Sequence, residues 1–467
     1  MESEIVSLNP GRNFEELGRT RCSTRAQIES AVLAAKRALP EWRRLTVDER
    51  CRYVDRFREL LQKHANEVAE LQSKEMGKPI AESRQELVSS IRFLKNQTEK
   101  ASRLLATRVL DSYSTHQTEA RYEPYGVAAV ITPWNFPTGQ FVANSSQTLL
   151  AGNVVVLKHS EECVLTSKLL GKLACEAEFP DGVFQVLYGA EEVAKFLLAQ
   201  DIEFVHFTGS SAVGKEIYRS AAAKFLPVTL EMGGSSPAIV TQDVDVAAAA
   251  RSIFYERFKN CGQICCALKR LYVQEGVFDT LMEELCALAE SQVVGDPLDP
   301  ATTLGPLAAA RQVDVLEDQL GRGIQDGASV VSGGSRLPNS HGAYFEPTIV
   351  EGVSNDSPLM QEEVFGPVLP MMPFKEIDDA IALANDSRFG LSAFVYGKEL
   401  KIVERIVSEL EAGQVSVNGA SYFSNRAPFG GYKDSGIGRV RGDEGYFDVT
   451  QAKVVGRPTN RTVHRSH

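Results

Sequence analysis

Histidine is scarce in this chain of 467 residues: there are seven, and none falls in the cysteine-rich stretch at 258–270. A Cys–His dyad of the protease kind therefore has no local support, and three cysteines with neither a C-x-x-C pair nor an imidazole do not complete a tetrahedral metal set. No metal is expected. Long apolar runs are missing too. The most apolar stretch, at 125–134, is broken by proline and is well below the roughly 18 residues of a bilayer span. The first residues, MESEIVSLNP, place acids and a proline where a secretory leader carries basic and then apolar residues, so no export is expected. Basic clusters are absent: 50 Lys and Arg are scattered among 61 Asp and Glu, for a net charge of −11. Such a surface repels polyanions, which argues against nucleic acid as a partner. Eight cysteines, three of them crowded at Cys261, Cys265 and Cys266, fit reduced thiols in the cytoplasm better than a disulfide framework.

What is present is an ordinary globular composition, 43% hydrophobic, over a length suited to about two to four domains. From 23 to about 101, apolar residues recur at three- and four-residue steps, as in VDERCRYVDRFRELLQKHANEVAELQSKEMG, which predicts amphipathic helices. The segment LDSYSTHQTEARYE, at 110–123, has no such stripe and no core of its own, and reads as a projecting hairpin. From 125 to 240, short apolar runs such as GVAAVITPW, NVVVLK and IEFVHFTG alternate with helical stretches, the pattern of a parallel sheet with crossover helices. A second alternation, from 245 to about 418, predicts a second α/β unit. The tail begins strand-like and ends polar.

Several strand ends carry chemistry. In FKNCGQICCALKR the turn-compatible Gly262 and Gln263 precede Cys265, and the stretch after it is compatible with a helix, whose N-terminus would lower a thiol pKa. A buried structural cysteine is the other reading. Glu231, in PVTLEMGG, ends an apolar strand where α/β sheets bind ligands, and partial burial would make it a general base; a solvated strand-end acid fits equally. Two prolines freeze the backbone around Asn135 in PWNFP, so that its amide is either an oxyanion donor or a turn brace. FTGSSAVGK runs from a strand through Gly209 into a helix that could meet a pyrophosphate, although it lacks G-x-G-x-x-G spacing. Lys158 and Glu161 in VVVLKHSEE follow another strand end, where they could hold ribose hydroxyls, and a free carboxylate there repels a 2′-phosphate.

Taken in their order along the chain, these segments resemble the aldehyde dehydrogenase superfamily over nearly the whole chain, with a texture closest to bacterial succinate-semialdehyde dehydrogenase-like members. The resemblance implies two doubly wound α/β domains with a projecting β oligomerisation arm. It divides the chain into a dinucleotide-binding domain at 1–108 and 127–232, a catalytic domain at 233–447, and an arm and tail at 109–126 and 448–467. Cys265 matches the nucleophile of N-x-G-Q-x-C, Glu231 the general base of L-E-x-G-G, and Asn135 the oxyanion amide of P-W-N-F-P. Lys158 and Glu161 match the adenosine-ribose pair, Phe207, Gly209 and Ser210 the pyrophosphate turn, and Trp134 a cofactor-side wall. Glu363 and Phe365, in QEEVFGPV, match the nicotinamide-ribose carboxylate and its packing ring. NAD is the expected cofactor, ahead of NADP, with a small aldehyde as substrate. The family's arm pairs with another subunit, which implies a homodimer or homotetramer.

Departures concern the substrate. Asn144 stands where many members have Lys, and Ala143 and Phe423 stand where succinate-semialdehyde members often have Arg and Ser. Arg426 could supply a cation from another direction, while Phe141, Ile264 and Phe423 could line an apolar tunnel. Glu191 replaces a glycine usual near the adenine pocket. Two competing expectations remain: a CoA-acylating dehydrogenase, which has no need of Glu231, and a non-catalytic protein that kept the fold.

Overall fold

A computed structural model describes residues 4–337, 341–424 and 426–459. The extreme ends of the expected first domain and tail, 1–3 and 460–467, lie outside the described residues. Local chemistry starts the helices. Thr24 and Thr46 each close a capping box, with Gln27 and Glu49 three residues on, at the heads of Arg25–Arg44 and Val47–Lys63. Ala65–Met76 stops at Gly77, whose φ of 81° suits glycine, and Ile80–Leu104 follows. These helices bury their stripes on a six-stranded sheet ordered Phe184–Leu187, Val154–His159, Val127–Thr132, Phe204–Thr208, Val228–Glu231 and Gly436–Ile437. The first five strands are parallel, and their three inner members are buried along their whole length because helices cover both faces.

A second sheet of seven strands runs Ser329–Ser332, Thr348–Glu351, Val368–Phe374, Leu268–Gln274, Ser236–Val240, Ser392–Tyr396 and Gln414–Val417, all parallel except the first. It has its own buried cluster. The chain returns to the first half near its end: Gly436 pairs antiparallel with Glu231, and Tyr446 and Val449 join the first core. Between these points Val440 faces Phe429 and packs with Cys266 and Leu391.

The hairpin forms as expected from Arg108–Ser112 and His116–Pro124. Its partner differs from the expectation. Thr450–Pro458 pairs antiparallel with His116–Pro124 of the same chain, from Thr450 opposite Pro124 to Pro458 opposite His116, so the arm is completed within one subunit. Among the described residues, no helix is long and apolar enough to cross a membrane.

Candidate active site

The ends of four parallel strands meet at one cavity of about 770 Å³, which lies where α/β sheets bind ligands. Cys265 reaches it from the other half of the molecule by a sharp turn. The helix Val246–Phe258 gives way to Asn260, Cys261 and Gly262, all left-handed with φ of 51°, 55° and 73°. A Cβ on Gly262 would stand 2.3 Å from the Gly366 carbonyl oxygen, so glycine is required there. Asn260 tolerates the conformation and braces it: its Nδ2 donates to the carbonyls of Asn135 at 3.0 Å and Gln263 at 3.3 Å. Gln263 closes the loop by donating to the Asn260 carbonyl at 3.1 Å and accepting from Ala308 N–H at 2.9 Å.

No helix follows Cys265. The chain enters the strand Leu268–Gln274, so the expected helix-dipole activation of the thiol is absent. A hydrogen bond with Cys266 and burial instead push the Cys265 thiol pKa well up. Among the described residues, the Cys265 main-chain N–H makes no hydrogen bond, which leaves it free as a donor beside the sulfur.

Glu231 and Asn135 line the same cavity as Cys265. The Glu231 carboxyl is buried and neither oxygen has a hydrogen-bond partner, so desolvation pushes its pKa well above the usual carboxylate range. Asn135 donates one Nδ2 hydrogen to the Gln263 carbonyl at 3.0 Å, which fixes the amide and leaves its second N–H unused.

Farther along the cavity lie Trp134, Lys158, Glu161, Phe207, Gly209, Ser210, Glu363 and Phe365, each a residue singled out from the sequence. Lys158 Nζ donates to Glu161 Oε2 at 2.9 Å. Burial works against ionisation of Glu161, but Lys158, a main-chain hydrogen bond and Arg311 together lower the carboxyl pKa. Ser210 caps the helix Ser211–Ala223. Trp134 and Phe365 meet edge to face with centroids 5.6 Å apart. Glu191, also on the cavity wall, pairs with Lys195 at 2.6 Å.

The four expected substrate residues fare differently. Phe141 is fully buried against Phe57, Phe184 and His159 in the first core; it is a packing residue, not a tunnel wall. Ile264 packs beside Cys265 on the small cluster of Cys266, Leu391, Phe429 and Val440. Phe423 is half exposed and stacks on Phe429 at 5.6 Å. Arg426 is exposed on the loop and does not line the cavity, so it supplies no cation there. Asn144, in place of a lysine, donates to Thr208 Oγ1 at 3.0 Å.

Sequence reasoning passed over Lys269, although it sits four residues after Cys265. Fully buried, its ammonium donates to the carbonyls of Gly234 at 2.6 Å and Cys265 at 3.2 Å and to Glu363 Oε1 at 2.6 Å. It ties the main chain of the thiol to Glu363. A lysine at the start of an apolar strand was the available signal.

A thiol, an unpaired buried carboxyl and a fixed amide thus line one crevice large enough for a dinucleotide, between two α/β sheets of the aldehyde dehydrogenase kind. The chain belongs to the aldehyde dehydrogenase family, whose model matches residues 1–455, and is an NAD(P)-dependent aldehyde dehydrogenase. It is 34% identical to the succinate-semialdehyde dehydrogenase [NADP(+)] GabD of Escherichia coli K12, over 97% of this chain and 94% of that protein. It is 35% identical to a glutarate-semialdehyde dehydrogenase of Pseudomonas aeruginosa, with the same coverage. The solved NAD-dependent aldehyde dehydrogenase of Sinorhizobium meliloti superposes with a TM-score of 0.95 at 36% identity, over 98% of this chain and 92% of that one.

Proposed function

We propose that this enzyme oxidises a small aldehyde to its carboxylic acid through a thiohemiacetal and a thioester on Cys265. The observation that carries this reading is that Cys265, Glu231 and Asn135 line a single cavity. The cavity fits a nicotinamide dinucleotide: Lys158 and Glu161 offer a donor and an acceptor for a ribose, the Ser211–Ala223 helix offers N–H groups for a pyrophosphate, and Glu363 reaches over Gly233. A Cβ on Gly233 would lie 2.0 Å from Glu363 Oε2, so only glycine leaves that carboxylate its place. Bound there, the nicotinamide supplies a two-electron hydride acceptor.

Cys265 Sγ, once it has lost its proton, attacks the carbonyl carbon and forms the C–S bond. The free Asn135 N–H and the Cys265 main-chain N–H stabilise the oxyanion. Loss of hydride from the thiohemiacetal carbon re-forms the C=O bond and leaves a thioester. Glu231 then takes a proton from water, whose oxygen attacks the thioester and expels the thiolate. A CoA-acylating course gives no task to Glu231.

Glu161 is held ionised by Lys158, and its charge opposes a 2′-phosphate, which supports NAD over NADP. The two sheets correspond to a dinucleotide-binding half and a catalytic half. The arm exposes Val109, Leu110, Tyr113 and Val454, which supports assembly into a homodimer or homotetramer, and the eight free thiols support a cytoplasmic setting. The test is an aldehyde panel followed by NADH and NADPH formation, with Cys265→Ser as control. Turnover with NAD that the variant lacks is expected; equal turnover by the variant would refute the mechanism.

A further inference from the structure

The dinucleotide cavity reaches Cys265 from one side. On another side the sulfur is backed by Cys266, Leu391, Phe429 and Val440, with Ile264 and Tyr422 packed against them. This apolar cluster is the surface that Cys265 packs against on the side of the second sheet's loops. One cation stands beside it. Arg441 pairs with Pro428 in a short ladder in which Val440 faces Phe429, and its guanidinium lies 5.2 Å from the Phe93 ring and 5.7 Å from the Phe423 ring. Phe423 in turn stacks on Phe429.

Among the described residues, no hydrogen bond or ion pair reaches the Arg441 guanidinium. Other interior arginines are engaged: Arg257 donates to the carbonyls of Val368 and Val364, Arg270 to those of Ser235 and Ala384, and Arg439 to those of Gly431 and Gly438. The Arg441 main chain, by contrast, is pinned. Its φ is 61°, its N–H donates to Gln147 Oε1 at 2.9 Å, and its carbonyl accepts from Gln147 Nε2 at 3.4 Å. Through Phe423 and Phe429 it adjoins the cluster on which Cys265 packs; burial lowers its pKa, against the opposing pull of Cys266, Cys265 and Glu231. A strained backbone that presents an unpaired cation between two aromatic rings leaves the guanidinium edge for a planar anion.

We propose that Arg441 is a specificity-determining residue that holds the anionic far end of the substrate, a short aldehyde bearing a carboxylate or sulfonate. This rests on the reading of Cys265 as the nucleophile. The fork suits two-oxygen recognition, which a lysine cannot reproduce.

The experiment compares kcat/KM of the wild type, Arg441→Met and Arg441→Lys on succinate semialdehyde, 3-oxopropanesulfonate and butanal. A charge-assisted hydrogen bond implies that the anionic-to-uncharged ratio of kcat/KM falls about 10- to 150-fold in Arg441→Met, mainly through KM, and by a smaller factor in Arg441→Lys. The anion with the higher wild-type kcat/KM identifies the group bound. A ratio that moves less than about threefold in either variant, or a wild type that prefers butanal to both anions, overturns the assignment. If Arg441→Met fails to fold, the Arg441→Lys ratio decides by the same criterion. A wild type inactive on all three and on other aldehydes refutes the enzyme mechanism itself, a different result from loss of the anion preference alone.

Discussion

Removing the Asn135 amide should cost rate and little else. Its Nδ2 makes one hydrogen bond, to the Gln263 carbonyl at 3.0 Å, and that carbonyl keeps a second donor in Asn260 Nδ2 at 3.3 Å when Asn135 is truncated. The Asn135 carbonyl stays held by Asn260 at 3.0 Å. Asn135→Ala therefore orphans no buried acceptor, and its stability cost should stay near about 1 kcal/mol, the net worth of one hydrogen bond. The transition state loses a fixed donor in a dry site, which elsewhere is worth about 2.7–4 kcal/mol, or about 10²–10³ in kcat. The assay is NADH formation at saturating aldehyde and NAD, with a thermal melt of the same preparation. A variant within about tenfold of wild type, or one whose rate loss tracks a collapsed melting temperature, would refute the oxyanion role. Asn135→Asp should be worse than Ala, because it sets a carboxylate beside the developing oxyanion.

Cys265→Ser should abolish turnover while Cys266→Ser retains it, measured by NADH formation; equal losses would sink the assignment of the nucleophile. Glu231→Gln should slow the steady state about 10²–10⁴-fold yet keep a rapid burst of one NADH per site, as thioester accumulates. Because the folded Glu231 pKa is raised, wild-type deacylation should fail as pH drops through that raised value. The same shift makes the folded state lose stability as pH rises from the ordinary Glu range toward it, so Glu231→Gln should melt no lower than wild type at pH 8. Lys269→Met strips Glu363 Oε1 of its ammonium and should destabilise by about 3–5 kcal/mol, whereas Lys195→Met, at an exposed pair with Glu191, should change the melt little. Gly233→Ala must displace Glu363 and should raise the KM for NAD by up to about 10²-fold, read from initial rates.

Residues that the backbone itself constrains were legible in the sequence. Asn260, Gly262 and Gln263 read as a motif because a left-handed turn admits few residue types, and the same turn presents Cys265. The strand-end residues Glu231, Lys158 and Ser210 were legible because a parallel sheet with crossover helices puts its strand ends in one crevice. Phe141 was misread for a corresponding reason: the helix Pro137–Leu150 is buried at every position but Gly139 and Gln140, so its periodicity marks no face. The stretch after Cys265 forms no helix because the chain passes within three residues into the strand Leu268–Gln274, whose Leu-Tyr-Val run suits a sheet and pairs with Ser236–Val240. The tail's partner was not legible, because a polar strand carries no hydrophobic register to say which chain it joins. Lys269 and Arg441 look like ordinary surface charges in one dimension, and only the fold buries one and leaves the other unpaired.

Burial shifts three titrating groups of the site away from their charged forms. The hydrogen bond with Cys266 and desolvation push the Cys265 thiol pKa up, desolvation pushes the Glu231 carboxyl up, and burial lowers Lys269 against the opposing pull of Glu363. A thiol kept neutral resists oxidation and stray alkylation. Reaction then depends on what enters. In the proposed reaction Cys265 gives up its proton before Glu231 acts on water, so rising pH favours both steps, while the cation of Arg441 favours the ionised forms of Cys265 and Glu231 alike. An anionic substrate that pairs with Arg441 gains position at the sulfur but removes part of that help. The rate limb set by Cys265 should therefore lie at higher pH for an anionic aldehyde than for an uncharged one, a displacement that Arg441→Met erases.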